Sequence, residues 1–207
     1  MVKISGIEYM RNCACILLDT GERFWLQKND LKKSSITEGK TCEREWFLRE
    51  IRNFQYPQAM NIAVSMLARR PCSKSEISSR LIYRRFTEEV IDLVLYKLEK
   101  EELIDDTVFS EQWIRFRSGQ GFGPSLIRYE LKQKGVPEDT IQELLGRMDP
   151  DTVQDNAVNI ARKAWCGMKS VDDIRKKRQK VINLLVRKGF GWNEARYACE
   201  ITECEKK

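Results

Sequence analysis

Three stretches of this 207-residue chain repeat one another: Leu81 followed by Arg85 and Phe86, Leu131 by Gly135 and Val136, and Leu185 by Gly189 and Phe190, about 50 residues apart each time. Self-similarity at such a period marks a repeat architecture, in which each copy is one supersecondary unit. In every copy the leucine belongs to a helix that stops at the Gly or Arg. The apolar residue after it then staples the chain onto the next helix. The following helices begin at Thr87, Pro137 and about Gly191.

Cap chemistry sets the remaining boundaries, because the open N–H groups of a first helical turn need an oxygen nearby. Ser73 with Glu76 forms a capping box, Asp106, Asp149 and Ser170 precede helical patterns, and Pro124, Pro137 and Pro150 suit the first helical position. This reading predicts helices over 58–70, 74–85 and 88–101, then 107–118, 124–134 and 137–147, then 150–166, 171–188 and 192–204. The expected fold is therefore mainly α: three tandem three-helix repeats, 58–106, 107–148 and 149–207, stacked into an elongated array.

Residues 1–57 follow a different period. Cys13, Cys15 and Leu17 alternate with Ala14, Ile16 and Leu18, a turn follows at Asp19–Glu22, and Arg23–Gln27 returns as a second strand. Val2–Tyr9 adds a possible third strand. Such a small sheet needs something to dock on. Trp46, Phe47, Ile51 and Phe54 then take up helical spacing, in an element that Pro57 is expected to end. A small β-rich extension thus precedes the repeats.

Composition excludes several classes. No apolar run approaches the roughly 18 residues that cross a bilayer, and residues 1–21 lack the pattern of a signal peptide, so a cytoplasmic location is expected. The seven cysteines include no CxxC pair and the chain has no histidine, which speaks against a disulfide framework, a structural zinc and any His-dependent triad. Gly39, Lys40 and Thr41 resemble the end of a phosphate loop, but Ser34 stands where its first glycine belongs. Gly119, Gly121 and Gly123 spell GxGxG between two helices and read as a loop. The acidic pairs Glu88 with Glu89, Asp105 with Asp106 and Asp172 with Asp173 lie at helix starts, where they complement the helix dipole. No cofactor, metal or catalytic constellation is expected.

The net charge is +6, and residues 149–207 hold about +4 of it. Basic residues cluster at Arg69 with Arg70, Arg84 with Arg85, Arg115 with Arg117, Arg128 with Lys132 and Lys134, and Arg175 to Arg178 with Lys180. Any one cluster is ordinarily a solvated helix face; several recurring on stacked repeats can line a cationic track. In the last basic helix Ile174, Val181, Leu184 and Leu185 are expected inside, leaving Lys176, Lys177 and Lys180 outside. The expected binding residues are Arg115, Arg117, Arg128, Lys132, Arg175, Lys176, Lys177 and Lys180. Trp113, Phe116, Trp165 and Trp192 could anchor a partner, with core packing as the default.

Leu103, Ile104, Asp105, Asp106 and Phe109, followed by Trp113, Arg117, Gly119, Gly123, Ile127, Glu130, Leu131, Lys134, Gly135 and Val136, resemble the core signature of the bacterial RecX family. Ala63, Leu67, Arg69, Arg70, Ser73, Glu76, Leu81, Phe86 and Val90 resemble its first repeat, and Arg187, Lys188, Gly189 and Phe190 the turn of its third. Arg85 departs from the pattern, since glycine is common at that position of the other repeats, and the first turn is expected to differ. The resemblance implies a non-enzymatic regulator that binds the filament of RecA protein on single-stranded DNA and modulates strand exchange, ATP turnover and repressor self-cleavage. It leaves room for a weak direct contact with DNA, and a monomer is expected. From composition and repeats alone, a helical-repeat DNA-binding protein acting without RecA is the alternative.

Overall fold

The structure is a computed structural model that describes residues 1–168 and 173–205. It divides into two units, Met1–Asp105 and Asp106–Lys207. In the first, β1 (Val2–Tyr9), β2 (Cys13–Leu18) and β3 (Arg23–Gln27) form an antiparallel meander, and a short β4 (Thr41–Cys42) pairs with the outer edge of β1, giving the order β3-β2-β1-β4. The hairpin register sets Ala14 opposite Leu26 and Ile16 opposite Phe24. Ala14, Ile16 and Leu18 are all buried on one face, while on the other Cys15 is buried and Cys13 and Leu17 are half-buried. Gly39 turns with φ 80 into β4, and its N–H bonds the Ile4 carbonyl, so Gly39–Thr41 enters a strand and builds no phosphate loop. The short α1 (Lys28–Lys33) and β4 have no periodic signal long enough to be read from sequence.

The sheet docks on α2 (Arg44–Leu67), which supplies Phe47 and Ile51 to the sheet core, with Phe47 edge-on to Phe24 at 5.0 Å. Here the structure corrects the sequence reading: Pro57 does not end the helix but lies inside it. An interior proline removes one backbone bond and costs about 3 kcal/mol. The buried positions explain why the helix continues. Phe47, Ile51, Gln55, Ala59 and Ala63 recur every four residues as one stripe, and Pro57 lies off it on the exposed side, where water can solvate the released carbonyl. One helix thereby serves both the sheet and the first repeat. Gln55, 2% exposed, ties them: its amide donates to the Trp25 carbonyl at 2.8 Å, and its oxygen accepts from the Thr87 N–H at 2.9 Å and hydroxyl at 3.1 Å.

The first repeat combines the C-terminal half of α2 with α3 (Lys74–Tyr83) and α4 (Glu88–Lys100) around Ile77, Leu81, Val90, Val94 and Leu98. The Ser73/Glu76 capping box opens α3 as expected, with both reciprocal bonds at 3.2 Å. In the second unit, α5 (Asp106–Gly119), α6 (Pro124–Gln133) and α7 (Glu138–Gly146) enclose Phe109, Ile127, Leu131, Val136 and Ile141. Then α8 (Pro150–Gly167), α9 (Ile174–Arg187) and α10 (Trp192–Cys204) enclose a larger core that includes Trp165, Val181, Leu185 and Phe190. Asp106 is the first residue of α5 and Pro137 caps α7, each one place from the expected role. Asp149 caps α8 as read, and hydrogen bonds from the Thr152 hydroxyl and the Thr152 and Asp151 N–H groups hold its carboxyl below the ordinary value. Ser170 lies outside the described residues; Asp173 caps α9, accepting from the N–H groups of Arg175 and Lys176.

The repeated leucine motif is one hydrogen-bonded turn used three times. Phe86 N–H bonds Leu81 O at 3.2 Å, Val136 N–H bonds Leu131 O at 3.1 Å and Phe190 N–H bonds Leu185 O at 3.1 Å. Arg85, Gly135 and Gly189 at the corner have φ of 65, 72 and 90. This is the six-to-one closure of a Schellman motif. The first turn therefore does not differ from the others, contrary to expectation: Arg85 adopts the left-handed conformation that glycine supplies elsewhere.

Candidate partner-binding surface

All eight sequence-predicted binding residues fall in the second unit, and the structure sorts them. Arg117 is not part of an open surface. Its guanidinium grips Glu130 through Nε at 2.7 Å and through Nη2, lies 3.8 Å from the Phe122 ring centre and bonds Gln120 at 2.6 Å. The Trp113 indole N–H donates to the same Glu130 carboxylate at 3.0 Å. With side chains only 17% and 20% exposed, the Arg117–Glu130 pair is a core clamp joining α5 to α6. The Lys134 ammonium caps this cluster 4.2 Å above Trp113. The sequence signal for a clamp was the acidic partner thirteen residues on, two turns into the next helix; one helix read alone cannot show it.

Arg115, Arg128 and Lys132 are exposed. Arg128 bonds Glu138 at 2.9 Å and Lys132 stands 4.0 Å from the same carboxylate, so their charge is partly answered, while Arg115 has no ion pair among the described residues. On α9, Arg175, Lys176 and Lys180 are exposed, and Lys177 instead lays its ammonium 5.1 Å over the ring of Trp165. Ile174, expected inside, is 53% exposed at the first turn of the helix. Arg178 pairs with Glu203 of α10 and is held by it.

Sequence reasoning did not assemble the groove beside Lys180. About 560 Å³ in volume, it is lined by Lys180, Asn183, Leu184, Val186, Arg187 and Trp192. Trp192 is 55% exposed, as is Phe116, whereas Trp165 is buried and Trp113 half-buried, so core packing accounts for only two of these four aromatics. Neither Lys180 nor Arg187 has an ion pair among the described residues. An exposed indole between free cations is the kind of anchor that dominates binding energy at protein interfaces.

The two sets of cations are held in fixed relation by backbone contact. Gly123 N–H bonds Lys188 O at 2.8 Å and Ser125 N–H bonds Gly189 O at 3.0 Å, joining the start of α6 to the end of α9. A Cβ at Gly123 would overlap the Gly189 carbonyl, and one at Gly189 would overlap the Leu126 backbone. Two glycines thus permit a joint that any side chain would force apart.

All seven cysteines are free, and burial pushes the Cys15, Cys42 and Cys199 thiols up, away from the reactive thiolate. Among the described residues no group of three His, Cys, Asp or Glu could hold a metal ion, and no helix is long and apolar enough to cross a membrane.

Three-helix units, each closed by the same turn between its second and third helices and carrying exposed cations, define a helical-repeat protein. Three family models match in order: the first three-helix domain of RecX over residues 59–98, the second over 105–145 and the third over 151–199. A regulatory protein RecX of Chlorobium phaeobacteroides (strain BS1) is 34% identical over 134 residues, covering 64% of this chain and 85% of that one. Another, of Legionella pneumophila (strain Corby), is 36% identical over 108 residues, covering 52% and 69%. A crystal structure of regulatory protein RecX superposes with a TM-score of 0.65 at 25% identity, covering 98% of this chain and 99% of that one. The chain belongs to the RecX family of regulatory proteins.

Proposed function

We propose that this protein binds the filament that RecA forms on single-stranded DNA and lowers its recombinase, ATPase and co-protease activities, without chemistry of its own. Family membership supplies the partner. The observation that supports the mode of binding is the set of exposed cations Arg115, Arg128, Lys132, Arg175, Lys176 and Lys180 within the second unit, together with the Lys180/Arg187/Trp192 groove. Segments 58–106, 107–148 and 149–207 act as successive contact modules and 1–57 as an added N-terminal module, in a cytoplasmic monomer. Contact energy spread over modules gives each cluster a modest effect and the whole a steep one.

The test is the single-stranded-DNA-dependent ATPase of the cognate RecA, titrated with this protein beside a DNA-only binding control. A dose-dependent fall in rate without competition for free DNA supports the proposal. Charge reversal of Arg175, Lys176 and Lys180 together should shift the titration to higher protein concentration. An unchanged ATPase with folded protein refutes it, and inhibition that tracks binding to free DNA assigns the action to DNA alone.

A further inference from the structure

Within the N-terminal unit, where the sheet meets the first repeat, lies an open cleft of about 500 Å³ whose walls include Asn12, Trp25, Gln27, Tyr83, Arg84 and Arg85. Two adjacent arginines supply its charge. Arg84 and Arg85 are both exposed and, like Arg11, Arg23, Arg49, Arg69 and Arg80 of the same unit, have no ion pair among the described residues, but they alone of these arginines line the cleft together. Two adjacent bare guanidiniums in a repeat whose formal charge is about −1 are not a by-product of general basicity.

Arg85 also sits at φ 65, where the equivalent turns carry Gly135 and Gly189. Glycine closes the same hydrogen-bonded turn without strain, and a side chain there costs about 1–2 kcal/mol. What the strained residue gains is position: its guanidinium lies 4.9 Å over the Trp25 ring at the cleft wall. Glu102, at φ 55 in the same six-to-one turn after α4, shows that the conformation alone is no signature of a ligand; at Arg85 it coincides with a ring contact at a cleft wall, the setting in which such strain serves a ligand clamp. The other wall offers Tyr83, 76% exposed, with the Arg80 guanidinium 5.9 Å from its ring. Trp25 itself has its indole N–H buried without an acceptor among the described residues.

Cations alone would suit any acidic ligand. Cations interleaved with two flat aromatic faces, and flanked by the Asn12 and Gln27 amides, suit a ligand that alternates anions with planar rings. We infer that this cleft is a contact site for single-stranded DNA, with Arg84 and Arg85 on the phosphodiester and Tyr83 and Trp25 as the stacking faces for a base. The site acts on free DNA and needs no recombinase, so it stands or falls separately from the proposed filament binding.

The test uses the full-length protein and a fluorescein-labelled oligo-thymidylate, followed by anisotropy over a range of salt with no recombinase present. Arg85→Gly keeps the turn and removes its strain, so it should melt higher than the wild type while binding the oligonucleotide more weakly. Opposite signs in stability and binding are something a purely structural arginine cannot give. The Arg84→Gln/Arg85→Gly double variant should lower the salt slope by about 1.4, two single-strand phosphate contacts at roughly 0.7 each. Tyr83→Ala should weaken binding about tenfold. Wild-type affinity and salt slope in the double variant overturn the inference. So does displacement of the oligonucleotide by poly-glutamate of equal charge as readily as by unlabelled oligonucleotide, which assigns the cleft to an acidic protein segment.

Discussion

Replacing Gly123 by alanine should uncouple the second and third repeats, and its size can be worked from the joint. Gly123 has φ −86, a conformation open to any residue, so the substitution carries no backbone penalty. The whole effect is steric, because the new Cβ would lie inside the carbonyl carbon and oxygen of Gly189 and the N–H of Phe190. All three are backbone atoms that cannot rotate away. Relief requires α6 and the end of α9 to part, which breaks the Gly123–Lys188 and Ser125–Gly189 bonds. Each is worth about 1 kcal/mol net, and the Gly123 N–H, on a buried residue, costs about 1 kcal/mol more when left without a partner. The expected loss is about 3 kcal/mol. At about 4 °C per kcal/mol or more for a unit of this size, the melting midpoint of the second unit should drop by roughly 12 °C. Differential scanning calorimetry of the full chain measures it, and hydrogen exchange at the Gly123 and Ser125 amides locates it. Gly21→Ala is the control: φ is 86, but nothing lies within 4 Å of the added Cβ, so only the conformational cost of about 1 kcal/mol should be seen. The reasoning fails if Gly123→Ala melts with the wild type, or if the amides of that joint exchange no faster.

Arg117→Ala should destabilise the second repeat by about 2 kcal/mol, since it leaves Glu130 in a half-buried site with only the Trp113 N–H for a partner. Urea denaturation checks this; unchanged stability with a large loss of partner affinity would return Arg117 to the binding surface. Glu22 is held at about 2, against an ordinary value of 4.5, chiefly by its bidentate bond from Arg44 and then by the Thr20 hydroxyl. A depressed carboxylate stabilises the folded state fully above about pH 4.5 and loses that contribution as pH falls towards 2. Carbon-13 NMR titration of the Glu22 carboxyl should place its midpoint near 2 in the wild type and higher in Arg44→Ala, short of the ordinary value because the Thr20 bond remains, and equal midpoints would refute the pairing.

Much of this architecture is local, and local chemistry is what a sequence displays. The three leucine turns, the Ser73 capping box, the Asp149 cap and the Arg23–Gln27 strand each depend on residues within about six positions of one another, so spacing alone identified them. The β-hairpin was legible for the same reason, through two short strand-like runs joined by a tight turn. The site was legible only in part: Arg115, Arg128, Lys132, Arg175, Lys176 and Lys180 are exposed as read, but Lys177 leans on Trp165 and Arg117 is clamped by Glu130. Both exceptions turn on a partner from another helix.

The order of repeats, their helical content and their cap chemistry are thus properties of the sequence by itself, because each follows from the periodicity of one segment and the hydrogen-bonding needs of its ends. Tertiary structure alone decided three things. It carried α2 through Pro57, because a stripe buried in two cores outweighs one lost backbone bond. It closed Gly123 on Gly189, 66 positions apart, because only a missing side chain on each lets two backbones meet. And it chose which cations stay free, because a charge is answered by whatever carboxylate or ring packing brings within a few ångströms, a distance that no linear spacing encodes.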